Sequence, residues 1–274
     1  MDRRLLHIFR NRPLGRETLL QSIYFCKKVG AGLVVYIPEF EKFLMYFKYD
    51  VVQIDLDRSY LTSPETAEEH VRQIAEAEGV EVEFLKPRTY TASTLPSLSV
   101  DFDFMCCPRS ISDLSSKIGL GYIGTKVRRI VTAARFPVLI PTSVYKPWNS
   151  VTVFFGGSKN ARNALKLGIE ISKISGVPID VFTQNERHDR AHYEKALKND
   201  GSGVEENLRN WLFFENGKLE ENLFAVPHDS LAVLGAYGHG VMKDVLFGSK
   251  LEKIQRTLPN SFLIVGPNCK VTES

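Results

Sequence analysis

Gly235 to Pro267, GAYGHGVMKDVLFGSKLEKIQRTLPNSFLIVGP, decides the reading of this chain. It follows the apolar run Leu231 to Leu234 and places glycines at 235, 238 and 248, with Ser249 after the last, in the pattern Gly-x2-Gly-x9-Gly-Ser. Glycines let a backbone turn through positive φ and approach an anion with no Cβ in the way. A helix opening just after them, from Lys250, turns its free N–H groups toward the same point, so the pattern is that of a phosphate cradle. Ser249 adds a hydroxyl donor, His239 and Gly240 lie inside the loop, and Lys243 supplies a positive charge beside it. A glycine-rich turn between a strand and a helix is the plainer alternative.

The rest of the chain repeats a plan. Leu5-Leu6-His7-Ile8-Phe9 returns as Val151-Thr152-Val153-Phe154-Phe155, and Gly30 returns as Gly176 at the same displacement. Leu19, Ile23 and Cys26 in one copy, and Ala164, Leu167, Ile171 and Ile174 in the other, carry the three-and-four spacing of one helix face. Gly30 and Gly176 suit the left-handed position after a helix end. Gly124-Thr125 matches Gly248-Ser249, and Val138-Leu139-Ile140 matches Phe262-Leu263-Ile264, at a smaller displacement, so the second copy is shorter in its middle. In the first copy Ser63-Pro64 opens a helix that Gly79 closes, and strands follow at Val80 to Leu85 and Phe102 to Cys107. The second copy offers Glu205 to Asn210 as the matching helix, then strands at Trp211 to Phe214 and Leu231 to Leu234. Strand and helix in alternation predict an α/β chain of two tandem, doubly wound parallel sheets. Pro141 to Asn149, with two prolines, is the connector, giving domains 1–148 and 149–274.

Gly235 to Pro267 resembles the nucleotide-binding signature of the universal stress protein family. The resemblance implies two five-stranded sheets in strand order 3-2-1-4-5, packed against each other as two single-domain members pair, with a homodimer of chains also compatible. It implies an adenine nucleotide as ligand, ATP or else ADP or AMP, with Mg accompanying the phosphates. Ligands of doubly wound sheets sit at the carboxyl ends of the strands where the order reverses. In the second half that location joins Gly156, Gly157 and Ser158 after the first strand to Gly235, Gly238, His239, Gly240, Gly248 and Ser249. The family contacts the base by backbone at the end of the second strand, here Val181 to Thr183. ATP-binding members carry Asp where this chain has Gly156.

The first half is degenerate by the same standard: Arg10-Asn11-Arg12 replaces the glycine turn, and Cys107-Pro108-Arg109 follows the fourth strand. Arg10, Arg12 and Arg109 remain candidates for an anion. Gly119 to Gly124 spells GxGxxG, but it follows no strand and no acid for a ribose lies about 20 residues on. His188 and His192 are one helical turn apart with Asp189 where a zinc-protease motif needs Glu, so they read as a solvated helix. No GxSxG elbow occurs. The catalytic and metal-ligand sets are therefore empty.

Bulk composition narrows the partners. Thirty-five basic against 32 acidic residues leave +3, dispersed, which is no footprint for nucleic acid. No apolar run approaches the roughly 20 residues of a membrane span and no export signal is visible, so the chain reads as cytoplasmic. The four cysteines form no CxxC pair and read as reduced structural thiols. The function expected is a stress-response sensor or accessory that binds nucleotide in its C-terminal half. Two alternatives stand beside it, a slow ATPase on the same fold and a ligand-free interaction module.

Overall fold

Within each half, five strands are parallel to their neighbours, and each parallel step has to be bridged by a crossover that covers one face of the sheet. The computed structural model describes residues 3–10, 15–56, 58, 61, 63–88, 95–109, 123–185, 189–200, 207–236 and 249–270. The chain divides into two units, Met1–Lys146 and Pro147–Ser274. The connector is claimed from both sides: the Tyr145 and Lys146 N–H groups donate to Glu17 and Gln21, while Asn149 N donates to Asp229 O at 2.8 Å.

In the first unit β1 (Arg3–Ile8), α1 (Gly15–Val29) and β2 (Ala31–Tyr36) open the fold. Leu19, Ile23 and Cys26 line the buried face of α1, and Gly30, at φ +64°, turns the chain out of it. An insertion follows, β3 (Lys42–Tyr46) and β4 (Val51–Asp55), before α2 (Pro64–Ala77). Ser63 caps α2 by accepting from Thr66 N at 3.3 Å, Val71 and Ile74 are buried beneath it, and Gly79 closes it at φ +67°. Then come β5 (Val82–Phe84), β6 (Ser97–Ser99), β7 (Phe104–Cys106), α3 (Thr125–Ala133) and β8 (Val138–Ile140). The five parallel strands lie in the order β8-β7-β1-β2-β5, so the sheet reverses between β1 and β7.

β3, β4 and β6 make a separate small sheet, β3 antiparallel to β4 and parallel to β6. It is the extra length of the first copy. Its buried positions alternate, Phe43, Met45 and Phe47 against Val52, Ile54 and Leu56. The outer edge of β4 is capped from α3: Lys126 Nζ donates to Gln53 O at 2.8 Å and Arg129 to Val51 O at 3.2 Å. Cations placed on alternate carbonyls satisfy an edge that would otherwise recruit another strand.

The second unit runs β9 (Ser150–Phe154), α4 (Lys159–Ser175), β10 (Ile179–Gln184), α5 (Arg190–Asp200), β11 (Leu208–Phe214), the short helix α6 (Leu219–Asn222), β12 (Ser230–Gly235), α7 (Ser249–Thr257) and β13 (Phe262–Val265). Its strand order is β11-β10-β9-β12-β13, all parallel, with the reversal between β9 and β12. Ala164, Leu167 and Ile171 of α4 are buried, Gly176 ends the helix at φ +67°, and Ile174 in the last turn is 45% exposed. Gly168 sits where α4 presses closest on β9, since a Cβ there would collide with the Val153 side chain.

Of the helix expected over Glu205 to Asn210, Glu205 and Glu206 lie outside the described residues, Asn207 is helical, and Leu208 to Asn210 are corrected to strand because they already belong to β11, beside β10; α5 lies earlier in the same crossover. α5 buries Tyr193 and Leu197, one turn apart, too thin an apolar stripe to be read from periodicity. At the start of β10 the buried Asp180 carboxylate is held by Arg209, with Nε 3.0 Å from Oδ1, and by Asn210 at 3.2 Å.

His7 lies inside β1, buried, beside Cys106 on β7, with Nδ1 2.8 Å from Ser22 Oγ. Ser22 Oγ donates to Thr18 O, so it accepts from Nδ1–H and leaves Nε2 as a lone pair with no partner among the described residues. Burial, with the Arg10 guanidinium adding to it, depresses the imidazole from 6.5 to about 3. The unfolded chain therefore binds the extra proton first as pH falls. The stability owed to neutral His7 is complete above about pH 6.5 and is lost toward pH 3, at a slope of up to roughly 1.4 kcal/mol per pH unit. Urea unfolding of the parent and of His7→Leu at pH 7 and pH 4.5 checks this: the parent loses more stability on acidification, whereas parallel losses would show that His7 does not titrate on unfolding.

Candidate functional site

At the reversal of the second sheet, the turn leaving β9 and the end of β12 stand side by side, because Leu234 pairs with Phe154. The turn is Phe155-Gly156-Gly157-Ser158. Gly157 adopts φ +74°, a conformation that favours glycine. Ser158 is the N-cap of α4 and accepts from Ala161 N at 3.2 Å, and Arg162 N makes the first helical bond to Ser158 O at 2.9 Å. The N–H groups of Lys159 and Asn160 precede that bond and are the orphan donors of the helix start. No acidic residue occupies this first turn, and Lys159 and Arg162 are both exposed there. Helix dipole, peptide donors and two cations all favour an anion over this turn.

Gly156 has open space around it: a Cβ built there meets nothing within 4 Å. Gly235 is the opposite case. A Cβ at 235 would collide with the Asn160 carbonyl and Ala161 N, so this glycine is required by the packing of β12 against the first turn of α4. Asn160 completes the joint. Its side chain is 5% exposed, and Nδ2 donates to Ala236 O at 2.5 Å, fastening the chain leaving β12 to the helix start. The one local sequence signal for Asn160 is an amide side chain two positions after an N-cap serine.

Val181 is paired on both sides, to Val153 and Trp211, with its side chain buried. Thr183 lies beyond the last pairing of β10 with β9, Phe182 to Phe154. Its hydroxyl accepts from Trp211 Nε1 at 3.1 Å, so neither side chain is presented, and what the strand end offers is peptide groups. The Tyr193 ring, itself buried, lies beside Gly157 and ties α5 to the turn. Ser249 begins α7. Gly238, His239, Gly240 and Gly248 lie outside the described residues, as do Lys243 and His188. Among the described residues no cluster of three or more His, Cys, Asp or Glu side chains is arranged for a metal.

The matching place in the first unit has a different chemistry. Arg10 follows β1 and is 9% exposed; Arg109 follows β7, and burial pushes its guanidinium pKa down. Arg12 and Gly119 to Gly121 lie outside the described residues. Gly124 caps α3, its N–H donating to Arg109 O at 2.7 Å. Beneath them the thiols of Cys26 and Cys106 are pushed up to about 12 by burial, and all four cysteines are free and buried. Such thiols stay protonated at neutral pH and are poor nucleophiles. No helix among the described residues is long and apolar enough to cross a membrane.

No protein-family model matches this chain, and no curated protein matches its sequence. Solved structures do match its fold. A universal stress protein from Archaeoglobus fulgidus DSM 4304 is similar at TM-score 0.64 and 18% identity, over 96% of this chain and 97% of that one. A putative universal stress protein from Pseudomonas aeruginosa UCBPP-PA14 is similar at TM-score 0.58 and 12% identity, over 97% and 94%. The cytoplasmic domain of a prokaryotic cation chloride cotransporter follows at TM-score 0.51 and 12% identity, over 96% and 95%. With coverage nearly full-length on both sides, the chain has the fold of a tandem universal stress protein.

Proposed function

We propose that the second unit binds an adenine nucleotide, ATP or its di- or monophosphate, and that the chain acts as a nucleotide-dependent sensor or accessory in a stress response. The observation that carries this reading is the joining of two elements at the sheet reversal: the glycine turn with the acid-free first turn of α4 that follows it, and the end of β12, from which the glycine pattern departs toward Ser249. Phosphates would lie over the orphan N–H groups of α4 and the glycines at 238 and 248, with Ser249 donating and any Mg held by the phosphates and water. The base would meet peptide groups where β10 ends. Adenine itself rests on the resemblance of Gly235 to Pro267 to the family signature. One nucleotide per chain is expected, because the first unit presents Arg10 and Arg109 where the second presents glycines.

The reading of a ligand-free interaction module has one observation in its favour, glycine instead of an acid at 156. The open space at that position makes it testable by restoration. Gly156→Asp should fold as the parent does and bind ATP more tightly, by about tenfold for one added charge-assisted hydrogen bond to the ribose or its neighbours. Gly238→Val should weaken binding by about tenfold or more, a cost of roughly 1.4 kcal/mol. Gly235→Ala should instead lower the melting temperature, since its cost of about 1–3 kcal/mol is one of packing. Titration calorimetry with ATP and thermal melts on all three measure these together. No ATP binding by either the parent or Gly156→Asp would hand the function to the interaction module.

Turnover should be very slow or absent, since phosphoryl transfer needs a placed acid for the metal and a group to orient water. A phosphate-release assay checks this. Steady-state hydrolysis that vanishes in Gly238→Val would establish the slow ATPase.

A further inference from the structure

β11 is the edge of the second unit's sheet: it pairs with β10, and among the described residues no strand pairs with its other side. Asn185 N donates to Phe214 O at 2.8 Å, so the Phe214 peptide faces β10. Alternation along the strand then turns the N–H and C=O groups of Trp211 and Phe213 outward. Seven residues long and free of proline and lysine, β11 carries half-buried Trp211, Leu212, Phe213 and Phe214 along its end. The Arg190 guanidinium covers one face of the strand, 5.0 Å from the Trp211 ring centre and 5.5 Å from that of Phe213. It shields the rings and leaves the outward peptide groups untouched. The contrast is with β4, whose outward carbonyls are capped by Lys126 and Arg129. An edge of this length and composition, with no cap among the described residues, is a template for strand addition.

We propose that β11 pairs with β11 of a second copy of this chain, antiparallel, about a two-fold axis at Leu212. The sequence says why the occupant is a copy. Read in reverse against itself with Leu212 opposite Leu212, the strand sets Trp211 opposite Phe213 and brings Arg209 alongside Glu215, each pairing occurring twice. Aromatic faces aromatic and cation faces anion, which is the complementarity of an isologous contact. Arg209 can serve both partners: Asp180 takes the donors on Nε and Nη2, and a guanidinium has five. Trp211 and Phe213, whose peptides point outward, supply the inter-copy hydrogen bonds. Leu212 and its mate form the non-hydrogen-bonded pair on the axis.

That register has a distinctive consequence. A non-hydrogen-bonded antiparallel pair brings its Cα atoms to about 4.5 Å, within disulfide reach. Full-length Leu212→Cys should therefore cross-link to a dimer under mild oxidation, while Phe214→Cys, facing Asn210 of the other copy, should not. The natural cysteines are all buried and contribute little background. In parallel, sedimentation velocity of the parent should show a concentration-dependent dimer. Phe213→Pro should weaken it at least tenfold while the chain still unfolds cooperatively at a somewhat lower temperature, because proline at an outward position of an edge strand removes no bond to β10 and only the ring contacts with Tyr193, Trp211 and Arg190 are lost. A parent monomeric up to about 100 µM, equal cross-linking at 212 and 214, or a dimer undiminished in Phe213→Pro would each overturn the proposal.

Discussion

Gly235 rests on the peptide between Asn160 and Ala161 with no room for a side chain, and this contact holds the proposed site together. Through it the end of β12 lies against the start of α4, so the orphan donors of that helix and the chain leaving β12 share one corner of the sheet. Asn160 locks the joint by donating to Ala236 O. Ser158 finishes it by capping the helix that the strand end leans on. A glycine that looks like a ligand contact in sequence is therefore the hinge pin of the corner, and the open glycine is its neighbour across the turn, Gly156.

The two units solve the same topological problem with opposite chemistry at the reversal. The second leaves small residues, exposed cations and helix-start donors around open space. The first places Arg10 and Arg109 over a buried layer of His7, Cys26, Cys106 and Cys107, all held in their neutral forms by burial. It also carries an extra three-stranded sheet clamped by Lys126 and Arg129 from α3. A neutral imidazole and protonated thiols are packing groups.

Much of this was legible in the chain. The repeat of Leu5–Phe9 in Val151–Phe155, the glycines at 30, 79 and 176, and the Ser63-Pro64 helix start are local signals whose geometry depends on a few adjacent residues, and the structure bears them out. The insertion was missed because its alternation is short and split among three segments, β6 lying far along the chain from β3 and β4. The end of the helix expected over Glu205 to Asn210 is strand instead, and α5 before it was not legible because among its described residues Tyr193 and Leu197 alone are buried. At the site, the role of Asn160 depends on a contact with Ala236 on a distant element, and no local pattern announces it.

The central claim, that the corner built around Gly156 to Arg162 and the end of β12 holds one nucleotide, is most directly tested by native mass spectrometry of the freshly purified, full-length chain in the presence of ATP. The account predicts a single adenine-nucleotide adduct per chain that survives gentle desolvation and does not progress to two as ATP is raised. A bare chain at every concentration, or a second equivalent adduct, would contradict it.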